Sequence, residues 1–220
     1  MTYTYIMLIV LSTVIGFGAQ WYVNRQIKKY SSIRSSFGLN GRQMGANMLS
    51  YHGVQGVQFR QGGEGEDHFD PRDNSVTLDP HAFNQPSITA IATGCHEVGH
   101  ACQFAQGYAP MKIRSSLVPV VNFASNAWMI VFVAGIFLNM VGLVNLAILL
   151  YAFAVLFHLV TLPVELNASH RAMDYLVAAG LPEQERAGAF SVLRACALTY
   201  VAAALVSAIQ LLYLLQARNN

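Results

Sequence analysis

Four long apolar runs constrain the fold of this chain more than any other feature of its sequence. They cover residues 3–23, 117–138, 143–162 and 195–215. Each run is close to the roughly 20 residues that an α-helix needs to cross the hydrocarbon core of a bilayer. The chain is 54% hydrophobic and only 11% charged, which is too apolar for an ordinary soluble domain of 220 residues. We therefore expect a mainly α membrane protein with about four transmembrane helices.

The positive charges predict how these spans are oriented. Arg25, Lys28 and Lys29 follow the first run, and no positive residue precedes it. Cytoplasmic loops of membrane proteins carry the excess of lysine and arginine. We therefore interpret the first run as a retained anchor whose C-terminal end faces the cytoplasm, not as a cleaved signal peptide. In this orientation every other lysine or arginine except Arg218 also falls on the cytoplasmic side.

The polar segments between the runs divide the chain into five parts. We predict an N-terminal transmembrane anchor over 1–24, a cytoplasmic region over 25–116, a transmembrane hairpin over 117–162, cytoplasmic helices over 163–194, and a C-terminal transmembrane helix with its tail over 195–220. Within the second part, the pattern predicts a helix over 41–51, a strand near 54–60 and a strand or hairpin over 68–78. A small α+β domain is therefore expected on the cytoplasmic side.

The polar region contains the pattern His-Glu-x-x-His at residues 96–100. Pro86 and Ser87 before it are typical of a helix start, and Gly107 of a helix end. On a helix, His96 and His100 lie one turn apart on one face, so both imidazoles can reach a single metal ion. Glu97 then projects beside them at the distance of a metal-bound water. Neutral nitrogen ligands with one open position suit Zn2+, although two surface histidines on an ordinary helix remain the alternative.

A catalytic zinc site needs a third protein ligand from elsewhere in the chain. Glu165 is favoured, because Ala168 and Ala172 lie one and two turns further along its face and would let its helix pack closely on the motif helix. Its alternative role is an interfacial carboxylate at a helix start. The other candidates downstream are His158, His170, Asp174, Glu183 and Glu185.

Charge and cysteine content exclude other classes of function. A net charge of +2 gives no support to nucleic-acid binding. The three cysteines, Cys95, Cys102 and Cys196, form no Cys-x-x-Cys pair, so reduced thiols are expected rather than a disulfide framework.

Asn122, Ser125 and Asn126 share one face of the second apolar run. Polar side chains at membrane depth face other helices or a cavity. They are interpreted either as helix-packing groups or as the lining of the upper active site.

Four segments together resemble the YugP-like membrane-bound neutral zinc metallopeptidases. They are residues 68–72, 96–103, 114–119 and 162–172. The resemblance covers nearly the whole chain, and it implies a bacterial membrane zinc peptidase in which His96, His100 and Glu165 hold zinc and Glu97 is the base. Two residues depart from the family pattern: Phe69 stands where tyrosine is usual and Asn167 where aspartate is common. The second departure leaves open whether position 167 supports the site.

These observations predict a multi-pass zinc endopeptidase of the bacterial cytoplasmic membrane, with a small zincin-like catalytic domain at the cytoplasmic face. Glu97 would act as general base toward a zinc-activated water, with His170, Arg171 or Tyr175 helping to stabilise the oxyanion. Expected substrates are membrane-associated or cytoplasm-facing proteins or peptides, and the strand near 68–78 is either an ordinary edge strand or a rail for an extended peptide. A membrane-protein partner or a second copy is left open. The alternatives are a non-catalytic zinc-binding scaffold or chaperone and an intramembrane-cleaving metalloprotease.

Overall fold

The computed structural model describes residues 2–218, which form seven α-helices and three short strands. In chain order they are α1 (Thr2–Ser31), α2 (Gly41–Tyr51), β1 (Gln58–Gln61), β2 (His68–Asp70), β3 (Ser75–Leu78), α3 (Pro80–Asn84), α4 (Ile88–Ala105), α5 (Ala109–Phe137), α6 (Val141–Ala178) and α7 (Glu183–Arg218). The last two residues of the predicted tail, 219–220, lie outside the described part. The mainly helical class with a small sheet is confirmed.

Four of these helices, α1, α5, α6 and α7, are long and apolar enough to cross a membrane. They pack as a row: α5 lies against α6, α6 against α7, and α7 against α1. Large apolar side chains point outward from them, including Phe17, Ile130 and Phe137, which are between 72% and 86% exposed. Such surface is unfavourable in water and favourable against lipid chains. The prediction of a multi-pass membrane protein is confirmed.

Two of the membrane helices are longer than the apolar runs predict. The sequence suggested a span over 143–162 followed by a separate polar helix starting at Pro163, but α6 continues through Pro163 to Ala178. Proline removes one backbone hydrogen bond without forcing the helix to end, and packing against neighbouring helices compensates for that loss. In the same way α7 joins the end of the cytoplasmic helices predicted over 163–194 to the last apolar run. Polar and apolar parts of the chain therefore share continuous helices.

The polar region contains a three-stranded sheet with the order β1-β3-β2. β2 pairs antiparallel with β3, His68 opposite Thr77, and this confirms the hairpin expected over 68–78. β1 pairs parallel with β3 and begins at Gln58, later than the strand expected near 54–60. β3 is buried along its whole length, while β2 is an edge strand. The sheet contacts α4 through β2 and β3.

Glycines allow α4 to approach its neighbours closely. A Cβ atom on Gly94 would lie 2.2 Å from the carbonyl oxygen of Gly41 in α2, and one on Gly99 would lie 2.8 Å from the carbonyl oxygen of Ala168 in α6. Real Cβ contacts are longer than this, so only glycine fits at these crossings. The Ser87 hydroxyl caps the start of α4 by accepting from the backbone N–H of Ala90. α4 is thereby fixed as the central, almost fully buried helix of the polar region.

Candidate metal centre

Three side chains from two helices converge at the contact between α4 and α6. The Nε2 atom of His96 lies 3.2 Å from Oε2 of Glu165, and the Nε2 atom of His100 lies 3.5 Å from the same oxygen. One ligand atom from each of the three residues lies within 4.8 Å of the other two. The histidine rings are one turn apart on α4 and nearly perpendicular to each other. Two nitrogens and one carboxylate oxygen thus surround a common point.

The close crossing of α4 and α6 makes this convergence possible. Gly99 lies between His96 and His100 in the sequence and contacts α6. Because it has no side chain, the backbone of Ala168 can approach α4 closely. Ala168 and Ala172 are fully buried at the same contact, as the spacing of small residues after Glu165 suggested. Glu165 itself is only 1% exposed. A buried carboxylate facing two imidazoles requires a compensating positive charge.

Hydrogen bonds at the opposite edge of each imidazole orient its Nε2 atom. The Gln103 amide nitrogen donates to the carbonyl oxygen of Val164 at 2.8 Å and to Oδ1 of Asn167 at 3.0 Å. Its Oε1 atom therefore faces Nδ1 of His100, 3.0 Å away, and must accept from an Nδ1–H group. His100 then carries its proton on Nδ1 and presents the Nε2 lone pair to the cluster.

Asn167 continues this network away from the cluster. Its Oδ1 atom also accepts from Nε of Arg171 at 2.8 Å, and Arg171 donates in turn to Oε1 of Gln106. An amide oxygen is sufficient for both bonds, which answers the doubt raised by asparagine at a position where aspartate is common. His96 has a separate partner: its Nδ1 atom lies 3.2 Å from the Ser169 hydroxyl. The Nδ1 atom of each imidazole is therefore within hydrogen-bond distance of a polar side chain, Gln103 for His100 and Ser169 for His96.

The donor set fits a zinc ion. Two neutral imidazole nitrogens and one carboxylate oxygen are ligands that zinc takes in catalytic sites, where a fourth position stays open for water. The Nε2 lone pair of His100 and the Glu165 carboxylate face each other, and a cation placed among the three ligand atoms would stabilise this contact. The arrangement therefore favours a divalent metal at this point.

Two carboxyl groups near the cluster have raised pKa values. Burial raises the pKa of Glu97 to about 7, although the nearby charge of His96 opposes the shift. Burial also raises the pKa of Asp67 to about 6, against the effect of the backbone N–H of Asp79, which donates to its Oδ1 atom. Groups with perturbed pKa values that gather in one place are typical of functional sites.

Arg114 is a site residue to which sequence reasoning assigned no role. Its Nη1 atom lies 3.6 Å from Oε1 of Glu165, the carboxylate oxygen that does not face the imidazoles. Arg114 begins the third segment of the family resemblance, and that was the only signal in the sequence. Because it stands near the start of α5, no helical spacing could relate it to α4 or α6. The structure therefore adds a cation to the polar side of the cluster.

A cleft of about 650 Å³ leads to Arg114. The β2 hairpin, from His68 to Arg72, forms one wall, and the first half of α5, from Met111 to Asn122, forms the other. The edge strand thus faces a cavity that ends near the candidate metal ligands.

Several predicted residues lie elsewhere. The side chain of His170 is 74% exposed and pairs with Asp174 on the outer face of α6. Arg171 belongs to the network of Asn167 and Gln106, and the buried Tyr175 packs against the ring of the exposed Tyr51. The structure therefore does not bring His170 or Tyr175 to the cluster. His170 lies on the outer face of α6, and Tyr175 lies ten residues after Glu165, about 15 Å further along the helix.

The remaining ligand candidates are also placed away from the three-residue cluster. Glu185 accepts from Ser35 and Ser36, Glu183 is exposed at the start of α7, and the ring of His158 contacts Phe157. Among residues 2–218, Glu165 is the acidic group that joins His96 and His100. Its role as a ligand stays a prediction.

Comparisons with known proteins find a matching family and a relative that is similar over nearly the whole chain. The profile of a family described as "Putative neutral zinc metallopeptidase" matches residues 5–219. The chain is 40% identical over 210 residues to a Bacillus subtilis (strain 168) protein named "Putative membrane protease YugP", covering 94% of this chain and 93% of that protein. No solved structure matches the chain. Zinc is the cofactor that the family description names.

Proposed function

Because the chain belongs to this family of putative neutral zinc metallopeptidases, we propose that it is a membrane-embedded, zinc-dependent endopeptidase. Its substrates would be membrane-associated or cytoplasm-facing proteins. The observation that carries the proposal is the convergence of His96, His100 and Glu165 beside the buried carboxyl group of Glu97. Residues 25–116 and 163–194 would together form a zincin-like catalytic unit, as their helices α4 and α6 supply these groups.

The mechanism assigns the ligands and the base to separate residues. Zinc held by His96, His100 and Glu165 would supply a Lewis acid that makes water more acidic. Glu97 accepts a proton from the attacking water and returns it to the leaving amine. Burial raises the pKa of this carboxyl group above its ordinary value, which favours acceptance of a proton by Glu97. The Gln103 amide keeps His100 in the tautomer that presents Nε2.

We assign to Arg114 the role of charge stabilisation that sequence reasoning gave to His170, Arg171 or Tyr175. Its guanidinium lines the cleft and lies beside Glu165. There it can donate to the oxygen of a scissile carbonyl on which negative charge develops. It also holds Oε1 of Glu165, which leaves Oε2 for the side of the imidazoles.

The edge strand supports a mode of substrate binding. Among residues 2–218, one row of backbone donors and acceptors of β2 has no strand partner, and this edge borders the cleft. An extended peptide can pair with such an edge through its backbone while its side chains enter the cleft. This mode requires no fixed sequence and suits an endopeptidase.

The charges support a location in the bacterial cytoplasmic membrane with the site at the cytoplasmic face. Twelve of the thirteen lysine and arginine residues fall on the side of the membrane that carries α4 and the sheet, if the first span runs outward to inward. Arg218 alone falls on the opposite side.

The test compares Glu97→Gln with Glu64→Gln, a matched change at an exposed glutamate in the turn before β2. Glutamine has nearly the same shape as glutamate but cannot accept the proton. We expect Glu97→Gln to retain zinc, measured by elemental analysis of the purified chain, and to lose peptidase turnover by a factor on the order of 10²–10⁴. The Glu64→Gln variant should keep both. Full, chelator-insensitive activity in Glu97→Gln would contradict the proposal, and bound zinc without turnover in the wild type would favour the non-catalytic scaffold.

A further inference from the structure

One face of α5 exposes polar side chains near the middle of an apolar span. Asn122, Ser125 and Asn126 are all exposed. The Asn126 amide donates only to the backbone carbonyl of Asn122, one turn earlier in the same helix, at 2.7 Å. Within residues 2–218, the side chains of Asn122 and Ser125 have no hydrogen-bond partner. Amide and hydroxyl groups without partners are costly in hydrocarbon, so a polar partner from outside the chain is expected to meet this face.

The position of α5 keeps this face open. α5 is the first helix in the row of four, and its membrane neighbour is α6 on one side. We refer to the surface formed by Asn122, Ser125 and Asn126 as the polar face of α5. It belongs to the side of α5 that lines the cleft, because Asn122 is itself a lining residue. The polar face is therefore continuous with the route to Arg114 and Glu165.

We propose that the polar face of α5 docks a transmembrane helix of the substrate, whose juxtamembrane segment then enters the cleft. The inference rests on the proposed peptidase function and specifies its substrate class: membrane proteins with a polar side chain in a transmembrane helix. Hydrogen bonds between polar side chains are a recognised source of helix association in lipid. The substrate helix supplies the polar partners that Asn122, Ser125 and Asn126 lack.

Distances along α5 place the cleavage point. Arg114 and Asn122 are eight residues apart, which corresponds to about 12 Å along a helix. A substrate chain covers that length with about four residues if extended and about eight if helical. The scissile bond therefore falls roughly four to eight residues from the substrate position that contacts Asn122, on the side toward the sheet.

A second copy of the chain is a poorer occupant of this face. Asn122 lines both the polar face and the cleft, so a stably packed copy would cover the mouth of the cleft beside the edge strand. Substrate entry along β2 would then be obstructed. A substrate helix avoids this conflict, because its own continuation fills the cleft.

The experiment compares two probes with the zinc-loaded, full-length protein in lipid vesicles. One probe is soluble casein, and the other is the same casein segment fused to a leucine-rich transmembrane helix with a central asparagine. The test variant combines Ser125→Ala with Asn126→Leu, neither of which lines the cleft. The control is Gln20→Leu, which removes an exposed amide from α1 at the other end of the row. The measured quantity is the ratio of the cleavage rate of the anchored probe to that of soluble casein.

We expect this ratio to fall on the order of tenfold in the test variant and to stay unchanged in the control. An unchanged ratio in the test variant would overturn the inference, whether both rates are normal or both fall. Failure of the wild type to cleave either probe would instead overturn the proposed function itself.

A cross-linking measurement distinguishes the occupants directly. A photoreactive residue at position 126 in the Glu97→Gln background should form an adduct with the anchored probe, and one at position 20 should not. Adducts between two copies of the chain at position 126, in place of adducts with the probe, would show that the face is an interface between copies and would overturn the inference.

Discussion

The two imidazole Nε2 atoms and Oε2 of Glu165 face one another at the candidate metal centre. The Gln103 amide fixes the proton of His100 on the far nitrogen, so that proton cannot relieve the contact. A cation is the simplest group that satisfies all three atoms. The hydrogen bond from His100 to Gln103 therefore supports a cation at this point more strongly than the distances among the ligand atoms do.

Glu165→Ala tests the third ligand. Loss of the carboxylate leaves two nitrogens, and we expect zinc affinity to fall by more than the roughly 10–100-fold that loss of a supporting partner costs. Zinc content after dialysis against a chelator series measures this change. Asp174→Ala is the matched control, since this exposed carboxylate lies on the same helix. Unchanged zinc retention in Glu165→Ala would show that Glu165 is not the third ligand.

The sequence predicted the site residues best where they lie close together in the chain. His96, Glu97 and His100 lie within one helical turn, so their geometry follows from the helix alone. Glu165 was favoured through its small neighbours, a weaker signal that depends on which helices pack together. Arg114 could not be assigned, because its relation to Glu165 arises only when α5 and α6 lie side by side. His170 and Tyr175 were favoured by proximity in sequence. Helical rotation carries His170 away from α4, and ten residues of α6 separate Tyr175 from Glu165.

At the scale of elements, the crossing of α4 and α6 determines the site. Ile88–Ala105 and Val141–Ala178 touch where Gly99 meets Ala168, so the backbone separation there sets how far Glu165 lies from the histidines. A change of a few tenths of an ångström at this contact alters the distances among three ligand atoms at once.

Gly99→Ala should therefore weaken both the fold and the metal site. The added Cβ would lie 2.8 Å from the Ala168 carbonyl oxygen, and relief of this contact must separate the helices. We expect a loss of about 1–3 kcal/mol in stability, which outweighs the gain of about 1 kcal/mol from replacing glycine in a helix. Thermal unfolding in detergent and a zinc competition assay measure the two effects.

Gly16→Ala makes the same change on α1, where nothing lies within 4 Å of the new atom. This control should be neutral or slightly stabilising. If Gly99→Ala matched it in both assays, close helix packing would not be what positions Glu165.

The elements themselves were predicted unevenly. The short helix over 41–51 was identified with its bounds, because Met44, Met48 and Leu49 recur at helical spacing, and the structure buries all three. Asn40 and Gln43 form a capping box at its start. The continuity of α6 was missed, because proline and a change from apolar to polar composition were taken as a boundary. The change in composition within α6 indicates which part of the helix lies in lipid and which part does not, but it does not indicate where the helix ends. α3 was not anticipated, since five residues are too few for a periodic signal.

At the scale of the whole molecule, the four long helices form an open row rather than a closed bundle. Both end helices, α1 and α5, therefore keep one free side. The number of spans followed from the apolar runs, whereas their lateral order could not, because runs of similar length and composition carry no information about neighbours.

A reporter fusion tests the orientation of the row. With the first span entering from outside, four spans return the C-terminus to the outer side. Green fluorescent protein fused after residue 220 should be dark, and alkaline phosphatase at the same point should be active. Fusions after residue 194, before the last apolar run, should give the opposite pair of results. Fluorescence of the full-length fusion would reverse the topology and place the metal centre outside the cytoplasm.

The unbroken course of α6 couples the site mechanically to its surroundings. The first half of α6 is apolar and lies in the lipid, while its second half places Glu165 next to the imidazoles of His96 and His100. When the hydrocarbon layer is thinner or thicker than the helix prefers, the helix tilts to relieve the mismatch. A tilt at one end moves the other, so we expect bilayer thickness to alter the distance between Glu165 and the two histidines.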